Sequence, residues 1–294
     1  MADLFPGCAV ERRAFNGVEI TFRRVGRGPL LLLLHGFPQT HAIWHRVAPR
    51  LAEHYSLVLP DLRGYGDSAK PVTTLDHAPY SKRAMALDMV GLMQALGHTR
   101  FFACGHDRGG RVAHRMALDH PDRVVRLMLL DISPTRTMYE RTSMEFARLY
   151  YHWFFLIQPA PLPERLIGSD PLFYLRTKLG GWGSAGTAFF DPRAMAEYER
   201  CFTPDAIHAM CEDYRASASI DLEHDRADED RRIECPLHVL WGERGVVQRL
   251  FTPLADWQAR ARGPVTGHAT PGGHYIPEES PALLVDEMLA FFSR

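Results

Sequence analysis

The chain has 294 residues, of which 46% are hydrophobic and 23% are charged. This length suits one large α/β domain with an insertion, and the composition is typical of a soluble globular protein. The formal net charge at pH 7 is −1, and acidic and basic residues are interspersed along the chain. This charge pattern argues against a nucleic-acid surface.

The apolar runs and the cysteines indicate the cellular compartment of the protein. The run Leu30–Leu34 is far too short to cross a bilayer, and residues 1–13 contain no apolar core of a secretory signal. The five cysteines are scattered and lack the spacing of a metal site: Cys8, Cys104, Cys201, Cys211 and Cys235. We therefore expect reduced thiols, a cytoplasmic protein and no bound metal.

The first third of the chain is predicted to form strands and one helix. Residues 8–25 alternate in polarity around Asn16-Gly17, which predicts a β-hairpin. Further strands are expected at Pro29–Leu34 and Ser56–Leu59, and a helix at Ser81–Leu96. Short apolar strands that alternate with helices predict a mostly parallel sheet with helices on both faces.

The pattern continues through a strand at Phe101–Cys104, a helix at Arg111–His120 and a strand that ends at Leu130. After Pro134 the chain becomes helical and aromatic, with no convincing buried strand before residue 233. Strands resume near residues 236–241 and 265–269, and residues 281–292 form a closing helix. We predict an α/β core of residues 1–134 and 233–294, with residues 135–232 inserted as a helical cap over a small-molecule pocket.

Residues 105–110 read Gly-His-Asp-Arg-Gly-Gly, between a predicted strand and a predicted helix. This is the pattern of a nucleophile elbow, whose glycines permit a sharp turn that presents the central side chain. Asp107 occupies the position that serine takes in carbonyl-attacking enzymes. A carboxylate suits displacement at an sp³ carbon, which gives an ester that water must then hydrolyse. A simple helix-capping aspartate needs no flanking glycines, so we predict that Asp107 is a nucleophile.

Three motifs in this order resemble the α/β-hydrolase family: residues 35–38 (His-Gly-Phe-Pro), the Asp107 elbow and residues 272–274 (Gly-Gly-His). Residues 61–68 are similar to a loop common in that family, so the resemblance covers nearly the whole chain. An aspartate nucleophile narrows it to dehalogenases and epoxide hydrolases. Finer details resemble the fluoroacetate dehalogenase branch: Arg108 and Arg111 after the nucleophile, His152-Trp153, Trp182 and residues 212–215.

The resemblance implies that His274 is the base that activates water against the ester. Its place after the nucleophile and the acid singles it out among 15 histidines. Asp131, at the end of an apolar strand, is our choice for the acid that orients and stabilises His274. Glu243, in the loop after the strand at residues 236–241, is the alternative.

Arg108 and Arg111 lie three residues apart on the helix that begins at the elbow, so they share a face. Two planar guanidiniums can bind a substrate carboxylate through paired hydrogen bonds. The same cations would also keep Asp107 ionised, a role that requires no anionic substrate. The two arginines therefore suggest an acidic substrate without proving one.

The resemblance also implies a halide cradle formed by His152, Trp153 and Tyr214, with Trp182 lining the pocket. Imidazole, indole and phenol groups supply the hydrogen-bond donors that a small, strongly hydrated fluoride needs. The backbone N–H groups of Phe37 and Arg108 are expected to form an oxyanion hole during ester hydrolysis.

The leading hypothesis is a cofactor-independent haloacetate dehalogenase that converts fluoroacetate to glycolate and halide. An epoxide hydrolase would share Asp107 and His274 and use cap tyrosines to protonate the epoxide oxygen; the candidates are Tyr150, Tyr151, Tyr174, Tyr198 and Tyr214. A ligand receptor with little turnover is a third interpretation, against which the intact catalytic set argues. The resemblance suggests a homodimer, and no membrane or nucleic-acid partner is expected.

Overall fold

The computed structural model describes residues 3–293, so the first two residues and the last residue of the predicted core segments lie outside it. The described strands form one eight-stranded sheet. They are β1 Val10–Phe15, β2 Val18–Val25, β3 Leu30–Leu34, β4 Ser56–Pro60, β5 Phe101–His106, β6 Val124–Leu130, β7 Leu237–Gly242 and β8 Val265–Thr270.

The sheet has the order β1-β2-β4-β3-β5-β6-β7-β8. β2 pairs antiparallel with both β1 and β4, and every other pairing is parallel. The carboxyl ends of β3, β5, β6, β7 and β8 therefore meet at one edge, where ligands bind in open α/β sheets. β3 and β7 are buried along their whole length, because helices cover both faces. The predicted fold class is confirmed.

The helices of the first half are α1 Ala48–Leu51, α2 Lys82–Ala95, α3 Asp107–Asp119, α4 Thr135–Glu140, α5 Met144–Leu149, α6 His152–Phe155 and α7 Leu162–Gly168. Those of the second half are α8 Pro171–Leu179, α9 Pro192–Cys201, α10 Pro204–Ala218, α11 Ile220–Ala227, α12 Val246–Leu250, α13 Pro253–Gln258, α14 Ile276–Glu279 and α15 Pro281–Phe292. Short 3-10 helices occur at His41–Trp44 and Ala78–Tyr80.

The predicted hairpin is confirmed, since Asn16 and Gly17 both take the left-handed backbone that a two-residue turn requires, with φ of 50° and 75°. α3 begins at Asp107, four residues earlier than predicted. The elbow is thus the first turn of the helix itself, because the strand passes directly into the helix.

Residues 135–232 form α4 to α11 and contain no strand. They are divided into short helices because proline is the first or second residue of α7, α8, α9 and α10, and proline is tolerated only in the first turn. Side-chain caps from Asp170, Asp191 and Thr203 accept the free N–H groups at three of these starts. The division into a core and a cap stays a prediction, as does a homodimer.

No helix in the described part of the chain is long and apolar enough to cross a membrane. A cytoplasmic location stays a prediction.

Candidate active site

Asp107 lies where β5 passes into α3, and its φ of 47° places it in the left-handed region. This backbone conformation costs a residue other than glycine about 1–3 kcal/mol. A Cβ at Gly105 would lie 2.5 Å from the carbonyl oxygen of Gly109, and one at Gly109 would lie 2.3 Å from that of His35. The glycines therefore permit close backbone approach, whereas Asp107 itself adopts the strained conformation of the turn.

Asp107, His274 and Asp131 converge at the carboxyl ends of the strands. His274 Nδ1 lies 2.5 Å from Asp131 Oδ2, and His274 Nε2 lies 3.9 Å from Asp107 Oδ2. The backbone N–H of Gly242 donates to Asp131 Oδ1 at 2.9 Å, which fixes the orientation of that carboxylate. The alternative acid, Glu243, has a side chain that is 52% exposed and lies beside Arg244. Asp131, rather than Glu243, is therefore the carboxylate that lies against His274, and its catalytic role stays a prediction.

Two residues that the sequence analysis missed hold the His274 loop in place. His106 Nε2 donates to the carbonyl oxygen of His274 at 2.8 Å, and the two rings lie 4.6 Å apart. The Glu279 carboxylate accepts hydrogen bonds from the backbone N–H groups of Gly273 and Tyr275, at 2.8 and 3.0 Å. The elbow motif could have pointed to His106, which lies inside it, whereas no sequence pattern pointed to Glu279.

Opposing effects set the protonation states of Asp107 and His274. Burial alone would raise the pKa of Asp107, but the positive charges of His274, Arg111 and Arg108 outweigh burial and lower it. Burial would lower the pKa of His274, but the hydrogen bond and charge of Asp131, together with the charge of Asp107, raise it. Asp107 is therefore ionised near neutral pH, as a nucleophile must be.

Phe37 lies beside Asp107, because the loop after β3 passes over the elbow. Its backbone N–H donates to Asp107 Oδ1 at 3.0 Å. Arg108 is the second residue of α3, so its backbone N–H has no acceptor within the helix. These are the two groups that the sequence analysis expected in an oxyanion hole.

Arg108 forms a buried ion pair that the sequence analysis did not foresee. Its Nε donates to Asp213 Oδ2 at 2.9 Å, and its Nη2 donates to Asp213 Oδ1 at 2.7 Å. Asp213 also accepts hydrogen bonds from Lys82 Nζ and from the Tyr65 hydroxyl. The charge of Arg108 is therefore largely balanced within the protein, and Nη1 is the nitrogen of its guanidinium without a protein acceptor among residues 3–293.

Arg111 has no carboxylate hydrogen-bonded to it in the described part of the chain. Its Nη1 donates to the carbonyl oxygen of Ser133 at 3.1 Å and to Thr135 Oγ1 at 2.9 Å, while Nε is buried and unpaired. The guanidinium lies 4.6 Å from the ring centre of Trp153, and that of Arg108 lies 4.1 Å from the ring centre of Tyr214. Each arginine thus offers one free nitrogen, rather than a whole guanidinium fork.

His152, Trp153 and Tyr214 pack together and are buried. The ring of Tyr214 lies 5.5 Å from His152 and 6.4 Å from Trp153. His152 Nδ1, Trp153 Nε1 and the Tyr214 hydroxyl have no hydrogen-bond partner among the described residues. A buried unpaired polar group costs about 1–3 kcal/mol, so three of them in one place point to a polar ligand.

The protonation of these groups suits hydrogen-bond donation. Burial lowers the pKa of His152 well below its usual value, with Lys178 as the next cause, so its imidazole is neutral. Burial raises the pKa of Tyr214, followed by the charge of Asp107, so its hydroxyl keeps its proton.

Trp182 and Tyr150 also pack against His152. The Trp182 ring lies 4.6 Å from His152 and 5.1 Å from His274, and it is partly exposed. Tyr150 lies 5.1 Å from His152 and has a buried hydroxyl without a partner in the described chain. Of the other cap tyrosines, Tyr198 donates its hydroxyl to Glu278, and Tyr151 is 41% exposed.

The fold and this arrangement at the strand ends are those of an α/β hydrolase. The family model described as alpha/beta hydrolase fold matches residues 29–244. The chain belongs to the α/β-hydrolase family and is an enzyme.

Individual relatives narrow this class. The chain is 48% identical over 274 residues to a fluoroacetate dehalogenase from Burkholderia sp, covering 92% of this chain and 90% of that protein. It is 33% identical over 281 residues to a soluble epoxide hydrolase from Corynebacterium sp. (strain C12), covering 95% of each. The crystal structure of an α/β-hydrolase-fold protein from Nostoc sp PCC 7120 has a TM-score of 0.96 and 51% identity, covering 98% of this chain and 99% of that one. The resemblance to the dehalogenase branch is confirmed.

Proposed function

We propose that the protein is a haloacetate dehalogenase that hydrolyses short 2-haloacids, such as fluoroacetate, through an ester on Asp107. The observation that carries this proposal is the division of the unpaired donors around Asp107. Arg108 Nη1 and Arg111 Nε are cationic and suit a carboxylate, whereas the donors of His152, Trp153 and Tyr214 are neutral and suit a halide. A haloacetate carries these two groups on adjacent carbons.

In the first step, Asp107 Oδ2 attacks the α-carbon of the substrate opposite the halogen. The new C–O bond forms as the carbon–halogen bond breaks, and the halide leaves with the bonding electrons towards the three neutral donors. Fluoride develops concentrated charge, so donors that bind this charge in the transition state accelerate the step. The lowered pKa of Asp107 keeps the nucleophile ionised.

Formation of the ester also prepares His274 for the second step. The negative charge of Asp107 is one of the causes that raise the pKa of His274, and the ester is uncharged. The pKa of His274 therefore falls when the ester forms, and neutral imidazole becomes available when a base is needed.

His274 then removes a proton from water, which attacks the ester carbonyl of Asp107. The Phe37 N–H, already 3.0 Å from Asp107 Oδ1, stabilises the oxyanion. Asp131 stabilises the imidazolium, as the aspartate of a catalytic triad does. Collapse of the intermediate breaks the ester bond, and the His274 imidazolium gives its proton to the departing alkoxide oxygen, which releases the 2-hydroxy acid. The Asp107 carboxyl group then loses its remaining proton to solvent and becomes a carboxylate again.

The variant His274→Asn tests this mechanism, because it removes the base and leaves the nucleophile. It is expected to release about one equivalent of halide from chloroacetate and then stop, with a carboxymethyl group on Asp107. Halide release and peptide mass spectrometry measure the two quantities, and Asp107→Asn is the control that should show neither. An adduct on another residue, or wild-type turnover by His274→Asn, would contradict the proposal.

Epoxide hydrolysis is the second candidate function. The unpaired hydroxyls of Tyr150 and Tyr214 are the specific observation that favours it, together with the Corynebacterium relative. Halide release from fluoroacetate and diol formation from styrene oxide, measured side by side, separate the two activities. The same Asp107 ester chemistry serves both activities, so the two are separated by whether Arg108 and Arg111 recognise a substrate carboxylate. Equal rates with haloacetate and haloacetamide would favour the epoxide activity.

A further inference from the structure

Lys178 is a buried cation near the site that has no part in the chemistry above. It lies in the last turn of α8 and is 3% exposed. Within residues 3–293, no carboxylate or carbonyl accepts a hydrogen bond from its Nζ, and burial lowers its pKa to about 7. Near pH 7 about half of the Lys178 side chains are therefore protonated, and a bound anion would raise this pKa. The protonated group carries three N–H donors, none of which has an oxygen acceptor among the described residues.

Three aromatic rings surround the ammonium group. Its Nζ lies 3.6 Å from the ring centre of Tyr151, 5.3 Å from that of Tyr174 and 5.7 Å from that of Trp182. Cation–π attraction of this kind can hold a lysine in place without using its N–H groups. A carboxylate partner would instead have neutralised the charge, as Asp213 does for Arg108.

The cage lies between the solvent and the proposed halide cradle. Tyr151 is 41% exposed and Trp182 is partly exposed, whereas Asp107, His152 and His274 are buried. The rings of Tyr151 and Trp182 lie 6.4 and 4.6 Å from that of His152. The charge of Lys178 is also one of the causes that lower the pKa of His152.

An anionic substrate needs such a charge. It approaches Asp107, which has the same sign, and the charge of Arg108 is balanced by Asp213. Arg108 and Arg111 both lower the pKa of Asp107 through their charges, and Arg111 is the one of the two that has no hydrogen-bonded carboxylate in the described chain. Lysine is also rare in this chain, which has Lys only at positions 70, 82 and 178 although Lys and Arg together number 34. A compact ammonium keeps its donors free above a ring, whereas a guanidinium stacks flat on it.

We propose that Lys178, caged by Tyr151, Tyr174 and Trp182, is an outer anion site that takes the carboxylate of the incoming substrate before it passes to Arg111. Halide ions share the chemistry of this site. The identity of the substrate rests on the proposed function, whereas the anion site itself does not.

Kinetics of Lys178→Met and Lys178→Arg test the proposal. Electrostatic attraction of a charged substrate to a site of opposite charge raises the association rate by about tenfold to a thousandfold, and this effect weakens as salt is added. Lys178→Met is expected to lower kcat/KM for fluoroacetate by about tenfold at low ionic strength, to lose less at high ionic strength, and to keep kcat within about twofold. Lys178→Arg keeps the charge but stacks flat on the rings, so it should recover part of the loss. Lys70→Met, which removes a lysine bonded to Gly66 and Ser68, is the matched control and should match wild type. Wild-type kcat/KM in Lys178→Met would overturn the proposal.

Amine labelling of the wild-type protein separates this proposal from the proposed function. The rate at which formaldehyde and cyanoborohydride methylate Lys178 is followed by peptide mass spectrometry, with acetate or chloride added at equal ionic strength, because only a small reagent reaches a side chain that is 3% exposed. Acetate is expected to slow labelling of Lys178 and to leave labelling of Lys70 unchanged. Protection by acetate without halide release from any haloacetate would refute the proposed function and support the anion site. Protection by chloride alone, or by neither ion, would overturn the assignment to a substrate carboxylate.

Discussion

Tyr214 combines two roles at the scale of a single residue. Its ring lies 4.1 Å below the Arg108 guanidinium, and its hydroxyl is one of the unpaired donors next to His152. Tyr214→Phe keeps the ring and removes the hydroxyl, and Trp153→Phe keeps an aromatic body and removes the indole N–H. Each is expected to lower fluoroacetate turnover on the order of a hundredfold, and chloroacetate turnover less, because fluoride concentrates more charge.

Halide release from fluoroacetate, chloroacetate and bromoacetate by wild type and both variants measures this difference. Tyr55→Phe is the control, since Tyr55 packs against Phe102 and Phe292 in a separate core cluster. Equal losses with all three acids would mean that Trp153 and Tyr214 only shape the pocket, and the halide cradle would lose its support.

The convergence of residues that follow parallel strands could be predicted from the sequence, whereas the partners of side chains on the helices could not. Asp107, Asp131 and His274 were expected in one place, because each follows a strand whose carboxyl end lies at the same sheet edge. The partner of Arg108 was missed, because Asp213 is 105 residues away and no local pattern reports such a pairing. Lys178 was missed because Tyr151 comes from the turn before α6, although Tyr174 lies on the same helix as Lys178 and Trp182 lies in the turn after it.

The elbow shows how tightly the elements around Asp107 are packed. A Cβ at Gly109 would lie 2.3 Å from the backbone oxygen of His35 and 2.6 Å from backbone atoms of Leu34, and backbone atoms cannot rotate away. Gly109→Ala is therefore expected to push α3 from β3 and to lower the free energy of unfolding by about 1–3 kcal/mol. Urea denaturation measures this change.

Gly168→Ala is the control for this prediction. Gly168 lies at the end of α7, and a Cβ there would meet no atom within 4 Å. Alanine also favours helix over glycine, so this variant should be as stable as wild type or slightly more stable. Equal stability of Gly109→Ala and wild type would show that the elbow tolerates a side chain and that its glycines serve another purpose.

Strands were easier to predict than the short helices of residues 135–232. β3, β5, β6 and β7 are continuous apolar runs because a parallel sheet buries both faces, and this signal is strong in a sequence. The intervening segment has helices of as few as four residues, such as α6. A helix this short does not contain enough residues for its hydrophobic periodicity to be recognised in the sequence. Its helical character was predictable, but its division into eight helices was not.

At the scale of the whole molecule, Asp213 of α10 connects the helical segment to the sheet and its helices. It accepts hydrogen bonds from Arg108 of α3, from Lys82 of α2 and from Tyr65, and all four side chains are buried. Burial would raise the pKa of Asp213, but the charges of Arg108 and Lys82 lower it below its usual value. Stability from this carboxylate is therefore present above the unfolded pKa of about 3.9 and is lost as the pH falls towards the lower folded value.

Asp213→Asn keeps the shape of the side chain and leaves two buried cations without their shared partner. Breaking a buried ion pair in this way costs about 3–5 kcal/mol, far more than the loss of an exposed charge. Urea denaturation at pH 7 should show this decrease, whereas Asp205→Asn, at the exposed start of the same helix, should change the free energy of unfolding by less than about 1 kcal/mol.

The difference between wild type and Asp213→Asn should shrink below pH 4, because unfolding of the wild type then takes up a proton at residue 213. A gap that does not change with pH, or a loss no larger than that of Asp205→Asn, would show that the contact between α10 and α3 depends on packing instead of on this buried charge.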